Sequence, residues 1–339
     1  MATRNSTTGP TPGRVTISTV ADAAGVSIAT VSRVMSGSAA VKPELAARVQ
    51  QAVAELSYRP SRAARGLALG SLRNIGVLLP DLTNAYFFDL VSQMHRGASE
   101  HGYRILIADS AGDPEQELNT ALDLLEQVDG LVLLSSRIAT AGLKQLARRQ
   151  APVVLVNRVE LGVDLPMVAV DNFTPMMQLC THLSQLGHRR AVYLSGSELA
   201  WQNRERWRAI QSLSMFGLET SYVSCDGTVE GAYASVPEAL SHDPSVLICF
   251  NDLSAIGAIS ALRDHGVRVP EDMSVTGFDD NVLARHIAPK LTTVTNPKVD
   301  LGQAAWGLMQ LMLAGETPSD SPPMLTAEVI LRESTAPPR

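Results

Sequence analysis

The chain has 339 residues, 45% hydrophobic and 18% charged, which suffices to bury more than one core and is too apolar for a disordered chain. No apolar run approaches the ~20 residues of a membrane span. The three cysteines, Cys180, Cys225 and Cys249, stand at no disulfide or metal spacing, so reduced buried thiols are expected. The net charge of −6 hides an asymmetry: residues 1–70 carry eight Lys and Arg against three Asp and Glu, a net +5, and residues 71–339 carry −11. A basic head on an acidic body suits a polyanion-binding module joined to something else.

Residues 1–14, rich in Thr, Pro and Gly with no apolar segment, read as a disordered leader and not a secretory signal. The head follows over residues 15–60. Thr16 is placed to cap a first helix through Ser18–Ala24, Gly25 supplies the freedom of a sharp turn, and Ser27 caps a second helix. On that second helix Val31 and Val34 face back toward Val20, Ala21 and Ala24. Ile28, Ala29, Ser32 and Arg33 share its outer face. A third amphipathic helix runs from about Pro43 to Glu55, with Leu45, Val49, Val53 and Leu56 on one side and Pro43 in its first turn. Helix, glycine turn and outward-facing second helix describe a helix-turn-helix, whose second helix enters a DNA major groove. A plain three-helix bundle is the alternative.

Residues 61–72 form a joint. Pro60 halts what precedes it and Ser61 is placed to cap a new helix, but only about two turns fit before Gly70, and Gly66 costs such a helix ~1 kcal/mol. Helices this short are marginal alone, so order here is expected to depend on a partner. Arg62 and Arg65 suit phosphates, and Leu67 suits a wedge into a minor-groove base step. A flexible linker is the alternative.

The body, residues 73–335, alternates strands and helices. Strands are expected at Ile75–Leu79, Arg104–Ala108, Gly130–Leu134 and Val153–Val156, then at Ala191–Leu194, Ser221–Ser224, Val246–Phe250 and Ser274–Phe278. Helices such as Leu90–Glu100 and Gln116–Glu126 lie between them. Two such arrays imply two doubly wound parallel sheets, whose ligands lie beyond the carboxyl ends of the strands. The polar and aromatic residues there are Asp81, Asn84, Tyr86, Phe87, Ser135, Arg137, Asn157, Arg158, Asp171, Asn251, Asp252, Asp279 and Asp280, with Trp201 and Arg206 after the Leu194 strand. Singly, Asp171, Asp252 and Asp280 also read as helix N-caps and Arg158 as solvated; as a set they describe a ligand cleft. No G-x-G-x-x-G follows the first strand, where Leu79-Pro-Asp-Leu-Thr-Asn84 stands, and no G-x-S-x-G elbow occurs. His95 and His101, like His182 and His188, are six apart and not at metal-ligand spacing. No enzyme, cofactor or metal is expected.

The runs Val20-Ala-Asp-Ala-Ala-Gly-Val-Ser-Ile-Ala-Thr-Val-Ser-Arg-Val34, Tyr58-Arg-Pro60 and Gly277-Phe-Asp-Asp280 carry a resemblance, supported by Asp81–Phe88, Asn251-Asp252 and Leu291-Thr-Thr293. From about Val15 to Glu333 the chain resembles the lactose/galactose repressor (LacI/GalR) family of bacterial transcription regulators. The resemblance implies an N-terminal all-α helix-turn-helix domain and an α/β periplasmic-binding-protein-like body of two doubly wound parallel-sheet subdomains. Subdomain one would be about 73–171 and 297–320, and subdomain two about 172–296 and 321–335. It also implies dimers on pseudo-palindromic operators in double-stranded DNA, with hinge helices that form on DNA and open the minor groove with a leucine, here Leu67.

Residue by residue, Ile28, Ala29 and Arg33 match base-reading positions, the first two suited to thymine methyls and Arg33 to guanine. Ser27, Thr30 and Ser32 match phosphate-contacting or helix-supporting positions, and Thr16, Ser61, Arg62 and Arg65 complete the DNA-facing set. In the cleft Arg206, Asn251 and Asp279 match polar ligand contacts, and Tyr86 and Phe87 match residues that flank the ligand. Asn84, Arg137, Asn157, Asp171 and Trp201 complete the effector set, although Trp201 has no constant counterpart in the family. The lactose repressor's tetramer-forming helix is missing, so a dimer is expected. The whole reads as a cytoplasmic, effector-controlled repressor with no membrane partner and no cofactor. A polyhydroxylated effector such as a sugar is favoured, with a nucleoside, or an acid held by Arg137 or Arg158, left open. Inducer versus co-repressor and the operator sequence stay open too. A transport binding protein or a Rossmann-like enzyme is the alternative, the first opposed by the missing export signal and the basic head.

Overall fold

The computed structural model describes residues 15–35, 41–58, 71–149, 151–214, 217–318 and 323–339. The chain divides into two units, Met1–Arg73 and Asn74–Arg339.

Three helices build the head: α1 (Ile17–Ala24), α2 (Ile28–Met35) and α3 (Pro43–Glu55). Thr16 and Thr19 form a capping box, each hydroxyl accepting the other's backbone N–H, at 3.4 Å and 3.3 Å. Gly25 ends α1 at φ 61°, ψ 44°, and its N–H donates to the carbonyls of Ala21 and Asp22. A Cβ at Gly25 would lie 2.5 Å from Arg48 Nη2, which donates to Ala24 O at 2.6 Å. The left-handed backbone therefore favours glycine, and a side chain there would also displace the Arg48 guanidinium. Val20, Ala21, Ala24, Val31, Val49, Ala52 and Tyr58 form the core.

The body begins β1 (Asn74–Leu79), α4 (Tyr86–Glu100), β2 (Arg104–Asp109), α5 (Pro114–Leu125), β3 (Gly130–Leu134), α6 (Thr140–Ala147), β4 (Val153–Val156) and β5 (Met167–Val170). It continues with α7 (Phe173–Gln185), β6 (Arg190–Leu194), α8 (Trp201–Ser212), β7 (Glu219–Val223), α9 (Val229–Ser241), β8 (Val246–Cys249), α10 (Asp252–Asp264) and β9 (Ser274–Thr276). The last elements are β10 (Thr293–Val294), α11 (Lys298–Leu313), β11 (Met324–Leu325) and β12 (Val329–Ile330). One parallel sheet has the order β11-β5-β4-β3-β1-β2 and the other β7-β6-β8-β9, with β10 and β12 a short antiparallel pair.

Alternation along each strand sends side chains to opposite faces, and both faces of each sheet are covered. In the first sheet Val77, Val132 and Val154 pack with Leu90 and Met94 of α4 and Leu301, Trp306 and Met309 of α11. Leu78, Leu131, Leu133 and Leu155 pack with Ala121, Leu143 and Leu146 of α5 and α6. In the second sheet Val192, Leu194 and Leu247 meet α9 and α10, while Tyr193 and Ile248 meet α7 and α8.

Three details differ from expectation. Helix α4 begins at Tyr86 and not at Leu90, which places Tyr86 and Phe87 in its first turn. Strands β8 and β9 stop at Cys249 and Thr276, leaving Phe250 and Phe278 beyond the strand ends. The third passage between subdomains falls between Leu325 and Val329, not near residue 321, because β11 fills the free edge of β5 while β12 pairs with β10. Two-residue strands carry no readable periodicity; the open edge of β5 decides where the first of them goes. Among the described residues no helix is long and apolar enough to cross a membrane.

Candidate functional site

The outward face of α2 is the first candidate. Ser27 Oγ accepts the Thr30 N–H at 3.2 Å and lies 2.9 Å from Thr30 Oγ1, anchoring the helix start. Val31 is fully buried against α1 and α3, which turns Ile28, Ala29 and Arg33 outward; Ile28 is 50% exposed. Ser32 is half-buried on the same side. The Thr16 hydroxyl is engaged as the α1 cap. Ser61, Arg62, Arg65 and Leu67 lie outside the described residues.

The second candidate is a cavity of about 610 Å³, open mouth included, between the carboxyl ends of the two sheets. Asn84, Tyr86, Phe87, Arg137, Asn157, Arg206, Asn251 and Asp279 all line it.

Arg206 is the charged group at its centre, 2% exposed. Its Nε donates to Asn172 Oδ1 at 2.9 Å and its Nη1 to the carbonyl of Phe250. The guanidinium carbon lies 3.5 Å from the Phe278 ring centroid, a cation–π contact. Nη2 approaches Asp279 Oδ1 at 3.6 Å. Burial lowers the Arg206 pKa and raises that of Asp279, and each charge, with Lys298 beside Asp279, opposes the other's shift.

Tyr86 joins the two halves. Its hydroxyl accepts from Asn157 Nδ2 at 3.0 Å and donates to Asn296 Oδ1 at 3.4 Å, and burial lifts the phenol far above the ordinary tyrosine range. Asn157 Nδ2 also donates to Ser135 Oγ at 3.2 Å, while its own Oδ1 is buried with no hydrogen-bond partner. From the opposite subdomain Gln202 Nε2 donates to Ser135 Oγ at 2.9 Å and to Asn157 O at 2.6 Å. Ser135, Asn157 and Asp279 have φ of 48°, 59° and 105°. Left-handed backbone at three cavity-lining positions concentrates strain where side chains must be aimed.

Several residues near strand ends do other work. Asp171 Oδ1 accepts the N–H groups of Phe173 and Thr174 at the start of α7, and Asp171 does not line the cavity. Trp201 opens α8 as a buried residue off the cavity wall. Asp280 pairs with Arg285 and Arg332. Arg158 is not solvated: it donates to the carbonyls of Ser136 and Ile138 and pairs with Glu160. Asp252 is fully buried, accepting from Thr293 Oγ1 at 2.5 Å and the Asn281 N–H at 2.7 Å; burial, then the charge of Asp279, pushes its carboxyl up to about 8. It buttresses the Asp279 turn from behind. Asn251 has two roles, since it caps α10 in a box with Ser254 and donates from Nδ2 to Gly227 O at 2.9 Å. Gln202, Asp226, Thr228 and Phe250 also line the cavity and were missed. Asp226 and Thr228 follow β7 as Asp81 follows β1, so the strand-end rule would have found them.

Both candidates have counterparts in known proteins. Residues 16–61 match the bacterial regulatory proteins of the lacI family, and residues 73–321 match the periplasmic binding proteins and sugar binding domain of the LacI family. The chain is 30% identical over 329 residues to catabolite control protein A of Priestia megaterium, covering 95% of this chain and 99% of that one. It is 31% identical over 328 residues to the HTH-type transcriptional repressor CytR of Escherichia coli K12, covering 94% and 96%. The solved lac repressor dimer, bound to operator and the anti-inducer ONPF, superposes with a TM-score of 0.81 at 24% identity, over 96% of this chain and all of that one. With both family matches in chain order and relatives aligned nearly end to end, the chain belongs to the lacI family of bacterial regulatory proteins, the DNA-binding transcription regulators that carry a sugar-binding effector domain.

Proposed function

We propose that this regulator acts in the cytoplasm as a dimeric repressor, reading its operator with Ile28, Ala29 and Arg33 of α2 and binding a neutral polyhydroxylated effector, a sugar, in the cleft. The observation that carries the cleft reading is the buried Arg206–Asp279 pair between two parallel sheets, beside an Asn157 oxygen that lacks a partner. Asp81, Asp226 and Asp279 offset Arg137 and Arg206 around the cavity, a balance that favours a ligand without negative charge. Asn84, Asn157 and the carboxylates supply hydroxyl partners, while Tyr86, Phe87 and Phe250 supply apolar ring faces.

The effector acts by binding the open and closed forms of the two subdomains unequally, since a ligand shifts an equilibrium only by its differential affinity. Gln202 is placed to sense closure, because its two hydrogen bonds cross between the subdomains. Coupling is reciprocal, so operator must change effector affinity by the same factor. The test is footprinting of the purified protein on DNA from its own upstream region, with and without a panel of sugars and nucleosides. A palindromic footprint moved by one sugar is the expected result. A footprint that only a nucleoside or an anionic sugar moves overturns the effector class, and the absence of any specific footprint overturns the operator reading.

A further inference from the structure

The Asp279 carboxylate reaches the cavity on a strained segment. Asp279 and its neighbour Asp280 have φ of 105° and 41° in succession, and such backbone persists only where its surroundings over-determine it. Asp280 does not line the cavity; its side chain points to other partners.

Two arginines take the Asp280 carboxylate. Arg285 Nη2 donates to Oδ2, and Arg332 Nη2 donates to Oδ1 at 2.6 Å. Burial would raise the Asp280 pKa, but these hydrogen bonds outweigh it and hold the carboxyl below its ordinary range. The two arginines are not equivalent. Arg285 ends the short 3-10 turn Val282–Arg285 of the same segment, with its side chain 58% exposed, so it travels with the turn and solvent screens its charge. Arg332 arrives from 52 residues away with a side chain 13% exposed. Its Nη1 donates to Leu291 O at 2.8 Å, and its backbone N–H donates to Thr292 Oγ1 at 3.0 Å.

The ground on which Arg332 stands is the strand pair beside which the chain passes between the subdomains. Leu291 and Thr292 lead into β10, Arg332 follows β12, and the two strands pair Thr293 with Ile330 and Val294 with Val329. The residues on either side of Asp280 are tied to the same pair. The Asp279 N–H donates to Val294 O at 2.8 Å, and Asp252 accepts both the Asn281 N–H and Thr293 Oγ1.

We propose that Arg332, remote from the cavity, is a positioning residue of the effector site: its guanidinium spans Asp280 and the Leu291 carbonyl and so fixes the Asp279 turn to the crossing strands β10 and β12. A forked guanidinium reaches both partners at once, whereas an ammonium is a single point of charge. This rests on the cavity reading above and adds the group that links its carboxylate to the passages between subdomains.

The test is hydrogen–deuterium exchange of the full chain with no ligand added, read on the peptide Gly277–Arg285, with the β6 peptide Arg190–Leu194 as reference. Arg332→Gln is expected to speed exchange in Gly277–Arg285 by about 10-fold and to leave Arg190–Leu194 unchanged. Arg332→Lys, which keeps the charge but not the fork, should fall between wild type and Arg332→Gln. Asp280→Asn should reproduce the Arg332→Gln effect, and the double variant should exceed neither single one, because each removes the same contact. Unchanged exchange in Gly277–Arg285, equal acceleration in both peptides, or additive effects in the double variant would each overturn the proposal. No ligand enters this measurement, so a failure of the sugar reading in the footprinting experiment would leave its result standing.

Discussion

The head and the body place their functional groups by opposite means. In the head, every described candidate for contact with DNA lies between Thr16 and Arg33, and a single helix with one buried edge turns the outer residues toward solvent. In the body, the cavity wall draws on residues from Pro80 to Asp279, delivered by the ends of strands in two separate sheets. A local site can be altered without disturbing its scaffold. A site assembled from distant strand ends shares its charges and hydrogen bonds with the fold.

The largest test of that contrast is Arg206→Ala, which leaves buried Asp279 with Lys298 as its remaining counter-charge. The body should lose ~3–5 kcal/mol in denaturant unfolding together with its effector response; unchanged stability would mean that the pair is not part of the fold. Arg33→Ala is the opposite case. Operator discrimination should fall by ~1–3 kcal/mol in competition binding, with a smaller loss of stability than Arg206→Ala causes. Equal discrimination before and after would remove Arg33 from base reading.

The next effect is one of pH. The Asp252 carboxyl sits at about 8 in the folded body against 3.8 for an unperturbed group, so over that range the folded state holds a proton the unfolded state has released. Stability should therefore fall as pH rises from about 4 to about 8, by at most ~1.4 kcal/mol per pH unit. Asp252→Asn, which keeps an acceptor for the Asn281 N–H, should flatten the slope, and a slope that persists assigns it to another group. The smallest effect is Thr16→Ala, which removes one side of the α1 capping box and should cost the head ~1 kcal/mol in thermal unfolding. No change would mean that the cap is redundant.

The same contrast explains what the sequence disclosed. Gly25, Ser27, Val31 and the stripe on α3 lie within a few turns of one another, so periodicity and capping residues made the head legible. The long apolar runs of β1, β3 and β4 were equally plain because both faces of their sheet are buried. The strands that escaped are short: β5 has four residues, and β10, β11 and β12 have two each. Within the cavity wall, knowing where strands end identified ten lining residues, Asp81 and Ser135 among them. It failed where an end was misplaced, as at Phe250, and where a helix supplies the group, as at Gln202. It also overreached at Asp171, since an acid past a strand looks the same in sequence whether it meets a ligand or the first amides of the next helix.

The late strand β11 has a consequence for how the protein is made. The first sheet takes one edge strand from Met324–Leu325, and α11 supplies Leu301, Trp306 and Met309 to the face it shares with α4. Those residues leave the ribosome more than a hundred positions after β5, at a pace of ~5–20 residues per second. For many seconds, while the second subdomain is already emerging, Val77, Val132 and Val154 have only the α4 side of their cover, from Leu90 and Met94. The subdomain synthesised first is thus completed last, when α11 and β11 arrive.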